Sequence, residues 1–177
     1  MPSGKTHDTI TIVLAAPLFA GTYAVTRDVW VSAIVTLGFL FGGLLFGPDL
    51  DVASKQYSRW RIFKFLWFPY RTFFKHRSRW SHGLIFGTLL RVVYLMGIAT
   101  CVAFLLTYAY TAYTGGDLPG VWGFARPWTT LRGFSDRVLG QSGVLALFAG
   151  MWLGAASHTF IDLAGSYIKT GRVTEFL

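Results

Sequence analysis

Four short stretches of this 177-residue chain hold all four of its histidines and four of its eight acidic residues. "GKTHD" carries His7 and Asp8, "GPDLD" carries Asp49 and Asp51, "HRSRWSHG" carries His76 and His82, and "SHTFID" carries His158 and Asp162. Neutral imidazole and carboxylate are the ligands that zinc, manganese, iron and nickel share, and no cysteine joins them, which disfavours a thiolate site. His158 and Asp162 stand at i and i+4, so on a helix both side chains share one face. Asp49 and Asp51 flank one residue in a turn marked by glycine and proline, which can aim both carboxylates at one point or let one bridge two ions. Taken singly, each signal has a plainer reading: a buried histidine is usually a hydrogen-bonded core residue, and an aspartate after Gly-Pro is usually a turn former.

The elements that must position these groups are apolar. Hydrophobic residues make up 53% of the chain and charged residues only 14%, where a soluble domain carries roughly a quarter charged. The reading is a single membrane domain over 1–177, in which ionisable groups are costly and tend to be functional. Four stretches are long and apolar enough to span, or nearly so: about 9–26, 29–47, 83–113 (interrupted by Arg91) and 143–168. Pro17 predicts a kink or tilt in the first. A cleaved signal peptide is disfavoured by the partly acidic "THD" and by the apolar segments that follow. Cys101 lies within an apolar run and, being the single cysteine, excludes an internal disulfide.

The net charge of +8 is concentrated, because eight of the sixteen basic residues lie between Lys55 and Arg79. No nucleic-acid motif accompanies them, so nucleic acid is not an expected partner. In a membrane chain such a cluster marks the cytoplasmic side and meets anionic lipid headgroups. Both termini and the basic loop 48–82 are therefore expected on the cytoplasmic face. Within that loop Trp60, Phe63, Trp67 and Tyr70 recur at helical spacing among Lys55, Arg59, Arg61 and Lys64. The pattern predicts an interfacial amphipathic helix on the bilayer, ended near Pro69. Gly38, Gly42, Gly43 and Gly47, with Gly150 and Gly154, have the small-residue spacing of close helix packing. The expected fold is all-α: a multi-pass membrane four-helix bundle with that interfacial helix between spans two and three. This topology brings all four polar motifs to one end, where a bundle can converge them on one pocket.

The stretches "MPSGKTHD", "FGGLLFGPDLD", "HRSRWSHG" and "SHTFID", in that order, resemble a family of membrane proteins found largely in cyanobacteria. Its members are described as metal-binding and are of unknown function. More distantly the pattern is similar to the YdjM-like inner-membrane metal-dependent hydrolases, grouped with zinc-dependent phospholipase C and related all-helical nucleases. The resemblance implies a bacterial inner or thylakoid membrane and a helical site holding two or three ions and hydrolysing a phosphoester. It implies His7, Asp49, Asp51, His76, His82, His158 and Asp162 as ligands. The chain has fewer histidines than the soluble enzymes and no free N-terminal tryptophan, so one or two ions are expected, zinc first, then manganese, iron or nickel.

The expected function is a membrane-embedded, metal-dependent hydrolase of a phosphoester or phospholipid-type substrate at the cytoplasmic leaflet. Asp51 or Asp8 would orient the attacking water or bridge the ions, and Lys5 and Arg77 would hold the phosphoryl oxygens. Ser81 is a candidate hydrogen-bond partner for a ligand. For Lys5 and Arg77 the plainer reading is membrane-surface charge. The rival function is a non-enzymatic metal-binding or assembly protein with a structural site. A structural site is closed whereas a catalytic one keeps an open position, and this many ligands suit two ions with positions to spare. A transporter is disfavoured because the ligands gather at one face and not near the midplane.

Overall fold

Capping groups set where the first helices begin. A computed structural model describes residues 3–74, 78, 80–84 and 86–171. Ser3 accepts the Thr6 amide and opens α1 (Gly4–Thr26) five residues ahead of the apolar run, which brings His7 inside the helix. Arg27 takes the left-handed conformation (φ 57°). One residue later, Asp28 accepts the amides of Trp30 and Val31 at 2.7 and 3.1 Å to start α2 (Val29–Leu44). After a 3-10 turn over Pro48–Asp51 come α3 (Lys55–Arg59), a 3-10 stretch over Arg61–Trp67, and α4 (Phe68–Phe73). The long α5 (Phe86–Thr114), α6 (Arg126–Leu139) and long α7 (Gly143–Thr170) follow. The chain is all-helical, with no strand among the described residues.

Four helical segments are long and apolar enough to cross a membrane: Gly4–Thr26, Val29–Asp51, Phe86–Thr114 and Gly143–Thr170. Their outer faces expose Ile12, Leu37, Leu105, Leu145 and Phe160 over more than half of each residue's surface. The boundaries differ from the hydropathy limits where caps intervene. α6 lies in the connection between the third and fourth long helices. Its Leu131, Phe134 and Val138 recur at helical spacing between arginines, a strongly amphipathic pattern.

The inner scaffold is the seam between α2 and α7. A Cβ on Gly38 or Gly42 would run into the Leu147 or Met151 carbonyl, and one on Gly150 or Gly154 would run into the Val35 or Phe39 carbonyl. These glycines let the two backbones touch, as their spacing predicts. Ile34, Val35 and Ala146 complete the seam, and Thr11 of α1 packs on Gly43. By contrast α5 is buried only in its first turns, at Gly87, Thr88 and Arg91, so the four long helices are not an evenly packed bundle.

The amphipathic helix expected over the basic loop does not form as one element. Arg61 adopts φ 46°, which breaks the helix after α3, and Pro69 sits in the first turn of α4, so it begins a helix and ends none. Trp67 and Tyr70 are fully buried against Phe46 and Leu50, and Trp60 Nε1 donates to the Leu45 carbonyl at 2.9 Å. Of the four spaced aromatics only Phe63 is exposed, beside Phe65, Phe68 and Phe73. The segment is thus a cap packed on the end of α2, held further by the Tyr94 hydroxyl donating to the Leu66 carbonyl.

The seam yields a contrast of two glycines. Gly154→Ala is expected to destabilise the protein by about 1–3 kcal/mol through overpacking, whereas Gly21→Ala, with nothing within 4 Å of its added Cβ, should be neutral or slightly stabilising. Thermal unfolding in detergent would measure both, and equal midpoints for the two variants would refute the close-packed seam.

Candidate metal centre

Each polar motif ends on a different element, and the elements meet at one end of the α2–α7 seam. His7 lies in the first turns of α1, Asp49 and Asp51 on the 3-10 turn after α2, His82 just before α5, and His158 and Asp162 on α7. Imidazoles and carboxylates then alternate in one unbroken series. His7 Nε2 is 3.2 Å from Asp162 Oδ1, and the other oxygen of Asp162 is 3.5 Å from His158 Nε2. His158 Nε2 is 3.4 Å from Asp49 Oδ2, and Asp49 Oδ1 is 3.5 Å from His82 Nε2. His82 Nδ1 is 3.6 Å from Asp51 Oδ2. The rings of His7 and His158 stack at 3.8 Å. Five of the six residues are buried to 5% exposure or less, and Asp49 is the half-buried member.

The neighbours hold these rings in place. Gln56 Nε2 donates to the Gly43 carbonyl at 2.7 Å and lies 3.3 Å from His158 Nδ1. Gly47 is the space that admits this amide, since a Cβ there would strike it. Ser81 Oγ is 3.0 Å from His82 Nδ1, and Thr159 donates to the His82 carbonyl at 3.3 Å. Arg91, fully buried, donates through Nη1 to the Ser81 carbonyl at 2.7 Å and through Nη2 to Thr88 at 3.1 Å.

This donor set fits a divalent transition metal. Donors held ~2.05 Å from one tetrahedral ion stand about 3.3 Å apart, close to the spacings between each imidazole and its carboxylates. His158 Nε2 is buried between the Asp49 and Asp162 carboxylates without a well-aligned hydrogen bond to either, and a nitrogen so placed is costly unless something binds it. Among the described residues two groups have ligand atoms within 4.8 Å of one another: His7, His158 and Asp162, and Asp49, His82 and Asp162. Asp162 is common to both, in the position of a bridge.

Beside the cluster lies a cavity of about 180 Å³. His7, Asp49, Gln56 and His158 form its inner wall, and Gly4, Ser54 and Lys55 come from the starts of α1 and α3. Two residues expected at the chemistry are placed otherwise. The Asp8 carboxylate borders the cavity but is held by Arg59, through Nη1 at 3.0 Å and Nη2 at 2.6 Å, so it is not in the ligand series. Lys5 is exposed and does not line the cavity. The cation that does so is Lys55, whose Nζ is 4.0 Å from Asp8. His76 and Arg77 lie outside the described residues.

Gln56, Lys55 and Arg59 were not legible as site residues, because a polar loop gives no sign of which side chain turns inward. Arg91 did leave a signal, as the lone charge within an apolar span.

The sequence profile of a family described as "Uncharacterized metal-binding protein (DUF2227)" matches residues 2–172. An uncharacterized protein of Aquifex aeolicus (strain VF5) is 43% identical over 60 residues, which cover 33% of this chain and 42% of that protein. No solved structure matches the chain.

Metal content of purified protein distinguishes the ligand series from its border. Asp162→Asn is expected to lose bound metal by at least about a hundredfold in affinity, since it serves both groups, whereas Asp8→Asn should retain it. Gln56→Leu should weaken binding by roughly 10–100-fold without abolishing it. Equal metal in wild type and Asp162→Asn would remove the site.

Proposed function

The chain belongs to that family of metal-binding proteins, and we propose that it is a membrane-embedded, metal-dependent hydrolase acting on a phosphoester. The observation that carries this reading is the alternating imidazole–carboxylate series bordering a cavity that also holds a cation, Lys55. In this reading the four long apolar helices cross the bilayer. The basic residues of Lys55–Arg71, at the same end as the histidines, face the cytoplasm and anionic headgroups. Both termini then lie on that side.

His7, His82 and His158 hold the metal as neutral imidazoles, with Asp49, Asp51 and Asp162 as carboxylate ligands. A divalent ion held by these residues would supply Lewis acidity toward a phosphoryl oxygen and would make water more acidic. Asp49 is the carboxylate that belongs to the series and also lines the cavity, so it accepts the proton of the attacking water. The water oxygen then bonds to phosphorus as the bond to the leaving oxygen breaks, and the proton taken up by Asp49 passes to that oxygen, which departs as the alcohol. Lys55 holds the non-bridging phosphoryl oxygens. The cavity has the volume of roughly six waters, enough for a phosphoryl group and its attacking water but not for a large leaving group. An amphiphile whose phosphate enters while its apolar part stays in the membrane, as in a phospholipid, fits this cavity.

A second reading, a structural ion bracing α1, α2 and α7, is favoured by the near-complete burial of most of the ligands. Turnover decides between them. With zinc or manganese bound, the purified protein is expected to release phosphate or a phosphorylated headgroup from anionic phospholipid vesicles or soluble phosphoesters. Lys55→Met should raise KM about tenfold or more, the loss of one charge-assisted contact. A metal-loaded protein silent across such a panel would leave the structural reading.

A further inference from the structure

We infer that an apolar groove between α1 and α7 holds an acyl chain of the substrate while its phosphoryl group sits at the metal centre. Resting on the metal-dependent phosphoester reading, this gives the substrate its class: a phospholipid-type amphiphile taken from the leaflet nearest the histidines. The groove has a volume of about 340 Å³. Leu14, Pro17 and Leu18 of α1 form one wall, and Leu153, Ser157 and Phe160 of α7 form the other. Buried Phe39 of α2 lines its depth. Ser157 carries the one hydroxyl of the lining, and it donates to the Gly154 carbonyl of its own helix at 2.8 Å. A lining without charge, its single hydroxyl proton already used, suits hydrocarbon.

Two observations tie the groove to the centre. His7, Leu14 and Leu18 stand at i, i+7 and i+11, on one stripe of α1. The wall of the groove therefore continues the face that presents His7 to His158 and Asp162. On α7, Ser157 and Phe160 lie within one turn of His158. The depths also agree. At ~1.5 Å per residue, Leu14 and Leu18 lie roughly 10–17 Å along α1 from His7. Half of a bilayer's hydrocarbon core is about 15 Å. A phosphate held at the level of His7 thus places its chains at the depth of the groove, in the same leaflet. The rim is open where a chain has to enter, since Leu14 is 41% and Phe160 57% exposed.

Lipid tails are as apolar as leucine, so moving a chain from bilayer to groove gains little hydrophobic energy. Selectivity comes instead from joining two contacts in one molecule. Once the phosphoryl group is held, its chain meets the groove at a high effective concentration. The filled groove in turn keeps the phosphoryl group aligned. A lipid without phosphate should therefore show no preference for the groove over other apolar faces.

Photolabelling of the metal-loaded full chain in maltoside detergent tests this. The probe is a phosphonate analogue of phosphatidic acid, which cannot be hydrolysed, with a diazirine midway along one acyl chain. A diacylglycerol bearing the same chain is the control without phosphorus. Adducts are expected on Leu14, Leu18, Leu153 or Phe160 at least about tenfold more often than on Leu105 or Leu106. Those two lie on α5 and are 64% and 67% exposed. The diacylglycerol should label both surfaces alike, and so should the phosphonate on Asp162→Asn, which lacks the metal. Ser157→Phe, which puts a ring into the groove, should remove the enrichment with metal content unchanged. Leu14→Trp, at the open rim, serves the same purpose if that variant does not fold.

Even labelling of the two surfaces by the phosphonate would overturn the acyl site while leaving the metal centre standing. So would weaker labelling in the groove than on α5, the result if a second copy of the chain were seated there. Enrichment that the diacylglycerol shares would overturn the link to the phosphoryl group. Wild type that holds no metal would overturn the phosphoester reading itself.

Discussion

Burying carboxylates is the constraint on which this structure turns. An unpaired ionised carboxylate away from water costs several kcal/mol even after the protein relaxes, yet Asp51 and Asp162 are nearly inaccessible and Asp49 only half exposed. Each stands within 3.6 Å of an imidazole nitrogen. Alternating the two ligand types keeps like charges apart and gives most carboxylate oxygens a nitrogen to face. A divalent ion satisfies the same groups more fully, because it can use a nitrogen left without a well-aligned hydrogen bond.

The scaffold serves that geometry. Glycine-to-carbonyl contact along α2 and α7 fixes how near the Asp49 turn can come to His158 and Asp162. Gly47 leaves room for Gln56 to cross behind the His158 ring. The buried Trp67 and Tyr70, packed on Phe46 and Leu50, close the end of α2 from which the aspartate turn departs. Trp152 Nε1 donates to the Leu84 carbonyl at 2.5 Å, tying α7 to the segment that carries His82. α5 beyond its first turns contributes little to the interior, so its length is suited to a bilayer and not to a core.

The sequence was most legible where residue type and spacing carried a single meaning. The i, i+4 pair His158 and Asp162 needed only a helix to share a face. The glycine spacings marked the seam, because only glycine permits backbone contact there. The long apolar runs located the long helices, although caps at Ser3 and Asp28 shifted or set their starts. Aromatic periodicity in the basic loop misled, since it is the same for a helix on a membrane and for rings packed on a helix end. Arg61 and Pro69 divide that segment, and the burial of Trp67 and Tyr70 is tertiary information. The pairing of Asp8 with Arg59 was equally hidden, because the two lie 51 residues apart.

X-ray absorption at the metal edge of the loaded protein tests the central claim most directly. The account predicts a shell of only nitrogen and oxygen at ~2.0–2.2 Å with the outer scattering of at least two imidazoles, as His7 and His158 require. An all-oxygen shell without imidazole scattering, or sulfur at ~2.3 Å, would contradict it.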